Sequence, residues 1–328
     1  MTAGQGAGLP PWVAGDIMAI NGAFADRSVG ARVLPGGVLV AGRAFVVYRL
    51  QLGRGETVRR VASMVADLAE TISTVRGASA PVRLRSLPLA LELPHIDPAG
   101  VAAAALPLGG LPALTGALGR AYDWAGVSDL LLSLDRYPHV LIAAMSGGGK
   151  STLLRSFVLS LAACNSPAGL ALVLLDGKNE NGDTIGALPH TVGAAWSASG
   201  QVDLLRQVGA LLDDRIAHPG QGAGGRVLVV VDELLSLVDA GGGDLLARIM
   251  TIGRSLGVHV CAASQYVTAA AVGGIVKANF TARLVGRVSS APAALAAAGI
   301  VGQVAGRWPG VSPVALPSAV SGQASGSA

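Results

Sequence analysis

The segment Ala144-Met145-Ser146-Gly147-Gly148-Gly149-Lys150-Ser151 has residue types and spacing suited to phosphate chemistry. It fits the phosphate-binding loop pattern GxxxxGK[ST], with Ala144 at the first glycine. In such a loop the backbone N–H groups of a glycine turn point inward and cradle phosphate, and the dipole of the following helix favours the same anion. Lys150 would reach the β- and γ-phosphates, and the Ser151 hydroxyl would coordinate Mg²⁺. Ser146, Gly147, Gly148, Gly149, Lys150, Ser151 and Thr152 are therefore the candidate ATP-binding residues. Ala144 requires backbone angles that a residue with a Cβ can adopt.

About 80 residues downstream, RVLVVVDE ends an apolar run on Asp232 and Glu233. A buried strand would deliver both carboxylates at its C-terminal end, where ligands of open α/β sheets bind. Asp232 would hold Mg²⁺ together with Ser151, and Glu233 would polarise the attacking water. Gln265 closes a later strand and could contact the γ-phosphate or the water. Arg254 and Arg283 are candidates for a finger inserted into a neighbouring subunit's site. The candidate catalytic set is thus Lys150, Glu233, Gln265 and Arg283. Of the 24 basic residues only Lys150, Lys178 and Lys277 are lysines. Lysine and arginine differ in shape and hydration, so Lys178 and Lys277 mark positions where lysine chemistry is called for.

These side chains need a scaffold, and the pattern from residue 130 onward supplies one. Short apolar runs at 130–134, 139–144, 170–176, 226–233, 258–265 and 281–288 alternate with helical stretches at 150–164, 199–217 and 245–256. Nearly continuous apolar strands separated by helices predict a mostly parallel sheet covered on both faces. Upstream, RAFVVYRLQL reads as a strand, Glu56 to Ser73 as one helix and Pro81 to Leu93 as a strand, making a small α/β domain. The expected organisation is a flexible arm at 1–30, the small α/β domain at 31–99 and a Gly/Pro/Ala linker at 100–129. The larger α/β domain that carries the phosphate loop follows at 130–316, with a disordered Ser/Gly/Ala tail at 317–328.

Composition bounds the class. Hydrophobic residues make up 51% and charged residues 13%, enough for a sizeable core and against global disorder. Mean hydropathy is +0.55, yet the charge-free stretches Gly100–Gly119 and Val288–Gly306 are broken by proline, glycine and polar residues, so no spanning helix is expected. The N-terminus lacks a basic region followed by an apolar one, so the protein is expected to be cytoplasmic. Cys164 and Cys261 lie far apart and read as small buried hydrophobes. A net charge of +4 is compatible with a polyanionic partner but weak as an argument.

Five segments, in order, resemble the FtsK/SpoIIIE translocases. YPHVLIAAMSGGGKSTLLRSFVLSL is similar to that family's phosphate-loop segment, and LLDGKNENGDTIGALPH to its Asp-Pro-Lys segment, with Gly177 in place of proline. RVLVVVDELLSLV resembles its carboxylate strand, IMTIGRSLGVHVCAASQ its arginine-histidine-glutamine segment, and VGGIVKANFTARLVGRVSS the segment carrying its trans-acting arginine, which maps to Arg283. The resemblance implies a RecA-like P-loop NTPase preceded by a small α/β domain, using ATP and Mg²⁺. It implies a homo-hexameric ring with nucleotide between subunits and non-specific double-stranded DNA in the channel. The chain shows no membrane segment of its own, and a membrane partner is compatible with it. Without a winged-helix DNA-reading domain, plasmid or conjugative transfer or phage genome packaging fits better than chromosome segregation. The competing expectations are an FtsK-type ATPase that powers protein secretion and an NTP-binding assembly factor.

Overall fold

The computed structural model describes residues 9–41, 45–96, 110–123, 126–219, 225–265 and 274–286. The chain divides into two compact units, one within Met1–Ala105 and Arg120–Ser128, the other within Leu106–Gly119 and Asp129–Ala328.

In the first unit α1 (Pro11–Asp26) precedes β1 (Ala31–Ala41), β2 (Phe45–Leu52), α2 (Val58–Ser63), α3 (Val65–Arg76), β3 (Arg83–Ser86) and β4 (Leu89–Pro94). The strands form an antiparallel sheet in the order β1-β2-β4-β3. The flexible arm expected over 1–30 is corrected at 11–26. Pro11 opens a helix there, where its missing N–H costs nothing, and Val13, Ile20 and Phe24 fall on one buried face. The single helix expected over 56–73 is two helices: Thr57 caps the first by accepting from Arg60 N at 3.3 Å, and the break falls at Met64. The strand expected over 81–93 is the hairpin β3–β4.

A charged network is buried in this unit. Arg76 Nε donates to Asp16 Oδ1 at 3.0 Å, its Nη2 to Asp16 Oδ2 at 2.5 Å and its Nη1 to Pro94 O at 2.6 Å. The Tyr48 hydroxyl also donates to Asp16 Oδ2. Burial first, and then the Asp16 carboxylate, push the tyrosine pKa up. The Asp16 carboxylate thereby joins α1 to α3 and β2, and Arg76 extends the link to β4.

β5 (Thr115–Asp123) and β6 (Gly126–Ser133) form a two-stranded sheet of their own, and the rest of the second unit follows it in the chain. These strands correct the linker expected over 100–129. Then follow β7 (His139–Ala143), α4 (Lys150–Cys164), β8 (Leu170–Leu175), β9 (Thr191–Ala195), α5 (Ala198–Ala217), β10 (Arg226–Val231), α6 (Leu234–Leu237), α7 (Gly243–Ile252), β11 (Val258–Ser264), α8 (Gly274–Asn279) and β12 (Ala282–Val285). Six strands make a parallel sheet in the order β12-β7-β11-β10-β8-β9. This is the RecA-like arrangement. Successive side chains leave opposite faces of a strand, so continuous apolar runs serve two cores. Leu141, Val229, Val231 and Val260 pack with α5, α6 and α7, while Val140, Ile142, Leu228 and Cys261 pack with α4. Cys261 is fully buried, which pushes its thiol pKa up to about 12 and makes it an inert hydrophobe.

Two histidines are buried on the neighbouring strands β7 and β11, one on each face of the sheet. His139 Nε2 donates to Met250 O at 2.9 Å and its Nδ1 has no hydrogen-bond partner, while the His259 ring has only the nearby Pro138 backbone. Burial is the main reason each imidazole's pKa falls to about 4. No described helix is long and apolar enough to cross a membrane. The expected tail at 317–328 and the stretch Val288–Gly306 lie outside the described residues.

Candidate active site

Because the six strands are parallel, their C-terminal ends share one edge of the sheet, the edge at which open α/β sheets bind ligands. The loop 144–149 follows β7, Asp176 follows β8, Asp232 and Glu233 follow β10, and Gln265 follows β11. Strand β11 lies between β7 and β10 and touches the residues that both deliver.

The loop turns through Gly147 at φ 70° and Gly149 at φ 83°, the left-handed region that favours glycine. Gly148 N donates to Met145 O at 2.9 Å, and α4 begins at Lys150 with Gly149 as its cap. Ala144, buried, donates its N–H to Ser264 O at 3.3 Å and has no positive φ, so alanine serves at this position as expected.

Lys150 is the buried cation at this edge. Its Nζ donates to Asp232 O at 3.1 Å and stands 4.0 Å from Glu233 Oε2. Glu233 Oε1 accepts from the Ser264 hydroxyl at 3.1 Å and from Gln265 N at 3.3 Å. The carboxylate is thus held by the end of β11, and its other oxygen faces the lysine. Asp232 is only 1% exposed, and neither of its carboxylate oxygens has a hydrogen-bond partner. Burial pushes its pKa up, Lys150 pulls it down, the nearby Asp176 and Glu180 charges push it up again, and the Asn181 amide, itself bonded to Asp176, lies close enough to pull it down. Ser151 Oγ donates to Glu180 Oε2 at 3.4 Å.

An orphaned buried carboxylate beside a serine hydroxyl fits a hard divalent cation, which takes oxygen ligands. Among the described residues there is no cluster of three or more His, Cys, Asp or Glu side chains that could hold a metal ion. Mg²⁺ keeps several waters and binds through one or two protein oxygens plus phosphate.

Lys150, Ser151, Asp232, Glu233 and Gln265 are therefore brought together at one edge. Arg283 lies within β12, in register with Leu141, and burial lowers its pKa. Arg254 sits in a 3-10 turn (Gly253–Leu256) before β11, at the opposite end of the sheet from the phosphate loop, and donates to Asp135 O at 3.5 Å. Lys178 is exposed on the loop after β8, and Lys277 falls in α8. The sequence reading did not single out Asp176, Glu180, Asn181 or Ser264 as site residues. Asp176 accepts from Lys178 N at 3.1 Å, Asn181 N at 2.8 Å and Asn181 Nδ2 at 3.0 Å. Its place at a strand's C-terminal end was the available signal for it, as it was for Ser264.

Residues 114–218 match the profile of the FtsK/SpoIIIE family. The "DNA translocase FtsK" of Helicobacter pylori strain J99 is 30% identical over 199 residues, covering 54% of this chain and 23% of that protein. Over this region the chain resembles the FtsK/SpoIIIE family. The "DNA translocase FtsK" of Tropheryma whipplei strain TW08/27 is 25% identical over 307 residues, 84% of this chain and 40% of that protein. The chain therefore spans well under half of the length of these curated relatives. Among solved structures, the cytoplasmic domain of EssC shares the fold at a TM-score of 0.50 and 17% identity, covering 55% of this chain and 38% of that one. The family match and these similarities support a P-loop ATPase.

Proposed function

We propose that this ATPase is the subunit of a homo-hexameric ring motor that binds and translocates double-stranded DNA without sequence preference. The ATP-hydrolysing part of the reading rests on one observation. Glu233 is clamped through Oε1 by Ser264 and Gln265 while Oε2 stands 4.0 Å from Lys150. A carboxylate held by two donors, beside a cation positioned for phosphate, suits polarisation of a water for in-line attack. In this reading the backbone from Ser146 to Thr152 and the Lys150 ammonium hold the phosphates, and Gln265 contacts the γ-phosphate or the water. Ser151 and Asp232 hold Mg²⁺, which when bound neutralises charge on the phosphate oxygens. Arg283 completes the site of a neighbouring subunit.

DNA as the polymer moved is supported by the relatives that carry the name DNA translocase. The test is steady-state ATP hydrolysis with and without linear duplex DNA. Marked stimulation by duplexes of unrelated sequence is the expected result. Stimulation by a secretion-signal peptide instead would make the chain a secretion motor, and response to neither would make it an NTP-binding assembly factor.

A further inference from the structure

Four carboxylates crowd the edge that receives the phosphates: Asp176, Glu180, Asp232 and Glu233. Two of them have defined partners. Asp176 accepts from three donors of the loop that follows it, and Glu233 is bonded to β11. Asp232 is buried with both oxygens unpartnered. The fourth, Glu180, is exposed, and its Oε2 accepts from the Ser151 hydroxyl at 3.4 Å. Glu180 thus touches one expected oxygen donor of the cation, and its charge is felt by the other.

The loop carrying Glu180 is fixed on both sides. Lys178 N and Asn181 N both donate to the Asp176 carboxylate. Arg155 Nε, on α4, donates to Asn181 Oδ1 at 2.9 Å. The loop is therefore tied to the strand end behind it and to the helix that begins with Lys150. The backbone that carries Glu180 is thereby preorganised beside Ser151, and the side chain reaches the hydroxyl from that fixed base. A serine hydroxyl that coordinates a cation does so through a lone pair, leaving its hydrogen to be donated elsewhere. A carboxylate that accepts this hydrogen fixes the hydroxyl's orientation and makes its oxygen a better ligand, as outer-shell partners of metal ligands do.

We propose that Glu180 is a positioning residue for the divalent cation, orienting the Ser151 hydroxyl and adding its negative charge beside Asp232. This rests on the reading of the edge as an ATP·Mg²⁺ site. It makes the loop after β8 part of cation binding, so that affinity for the ion depends on a residue outside both the phosphate loop and the β10 carboxylate pair.

The experiment measures binding, using Mn²⁺ as the probe and ADP as the nucleotide with the full chain. Free Mn²⁺ is read by electron paramagnetic resonance, and ADP affinity is measured separately in EDTA. Glu180→Gln keeps the size and an acceptor oxygen but removes the charge, and Glu180→Ala removes both. Mn²⁺ affinity of the ADP complex is expected to fall roughly 10-fold in the glutamine variant and further in the alanine variant, toward about 100-fold, the range seen when outer-shell partners are lost. ADP affinity in EDTA is expected to hold or tighten, since a negative charge near the phosphates has gone. Mn²⁺ affinity within about twofold of wild type in both variants would overturn the proposal. So would an equal loss of ADP affinity with and without metal, which is the mark of a disturbed loop. A wild-type chain that binds no ADP at all would sink the nucleotide-site reading itself, a failure distinct from either of these.

Discussion

Glu233 is held by hydrogen bonds that do not require its charge. Ser264 Oγ and Gln265 N donate to Oε1, and a glutamine amide oxygen accepts from both equally well. Glu233→Gln should therefore fold and bind ATP as wild type does, yet turn over at least about 100-fold more slowly, because positioned general-base catalysis is worth roughly 10²–10⁴. Single-turnover hydrolysis beside a nucleotide-binding titration checks this, and turnover near the wild-type rate would place the base elsewhere. The glycine-lysine-serine turn and the Asp-Glu pair were legible in the sequence because each is a short run at fixed spacing. Ser264, Asp176 and Glu180 were not, since each is a single polar residue whose importance depends on a partner brought close by the sheet. Ser264 lies 31 residues from Glu233 in the chain and one strand away in space.

At the scale of elements, the buried strands β8, β10 and β11 were readable as continuous apolar runs, since both their faces are covered. Edge strand β9, TVGAA, has too little apolar character to stand out, and α1 was lost among alanines and glycines. The buried charge that anchors α1, Asp16, has its partner Arg76 60 residues downstream, beyond any local pattern. The pairing of β7 with β11 has a consequence for stability. His139 and His259 are held neutral with pKa values of about 4, below the ordinary 6.5. A base whose folded pKa is depressed is protonated first in the unfolded chain, so stability is lost as pH falls. Between pH 7.5 and 5.5 each histidine should remove about 1.4 kcal/mol. Urea midpoints of the full chain at several pH values in that window measure it. His259→Gln should roughly halve the slope, and an unchanged slope in that variant would show that the histidines are not responsible.

At the scale of the whole molecule, the proposed ring makes each site depend on a neighbour. If Arg283 serves in trans, Arg283→Ala keeps its ATP affinity and loses turnover on the order of 10³-fold. Mixing it with Glu233→Gln subunits should restore activity, because a wild-type Arg283 then meets an intact Glu233. Specific activity of the wild type should rise with protein concentration. ATPase assays of the mixtures decide the matter, and Arg254→Ala in the same assay identifies which arginine acts. The sheet adds a mechanical property to such a ring. Ser264 carries two attachments at once, its carbonyl to Ala144 N at the start of the phosphate loop and its hydroxyl to Glu233. A load that drags β11 along its axis therefore disturbs the phosphate cradle and the water-polarising carboxylate in one displacement. Nucleotide affinity then varies with the strand's position, and by reciprocity nucleotide binding exerts a push on the strand. The central strand of the sheet is in this sense a drive rod, and opposing force applied to it should loosen the grip on nucleotide.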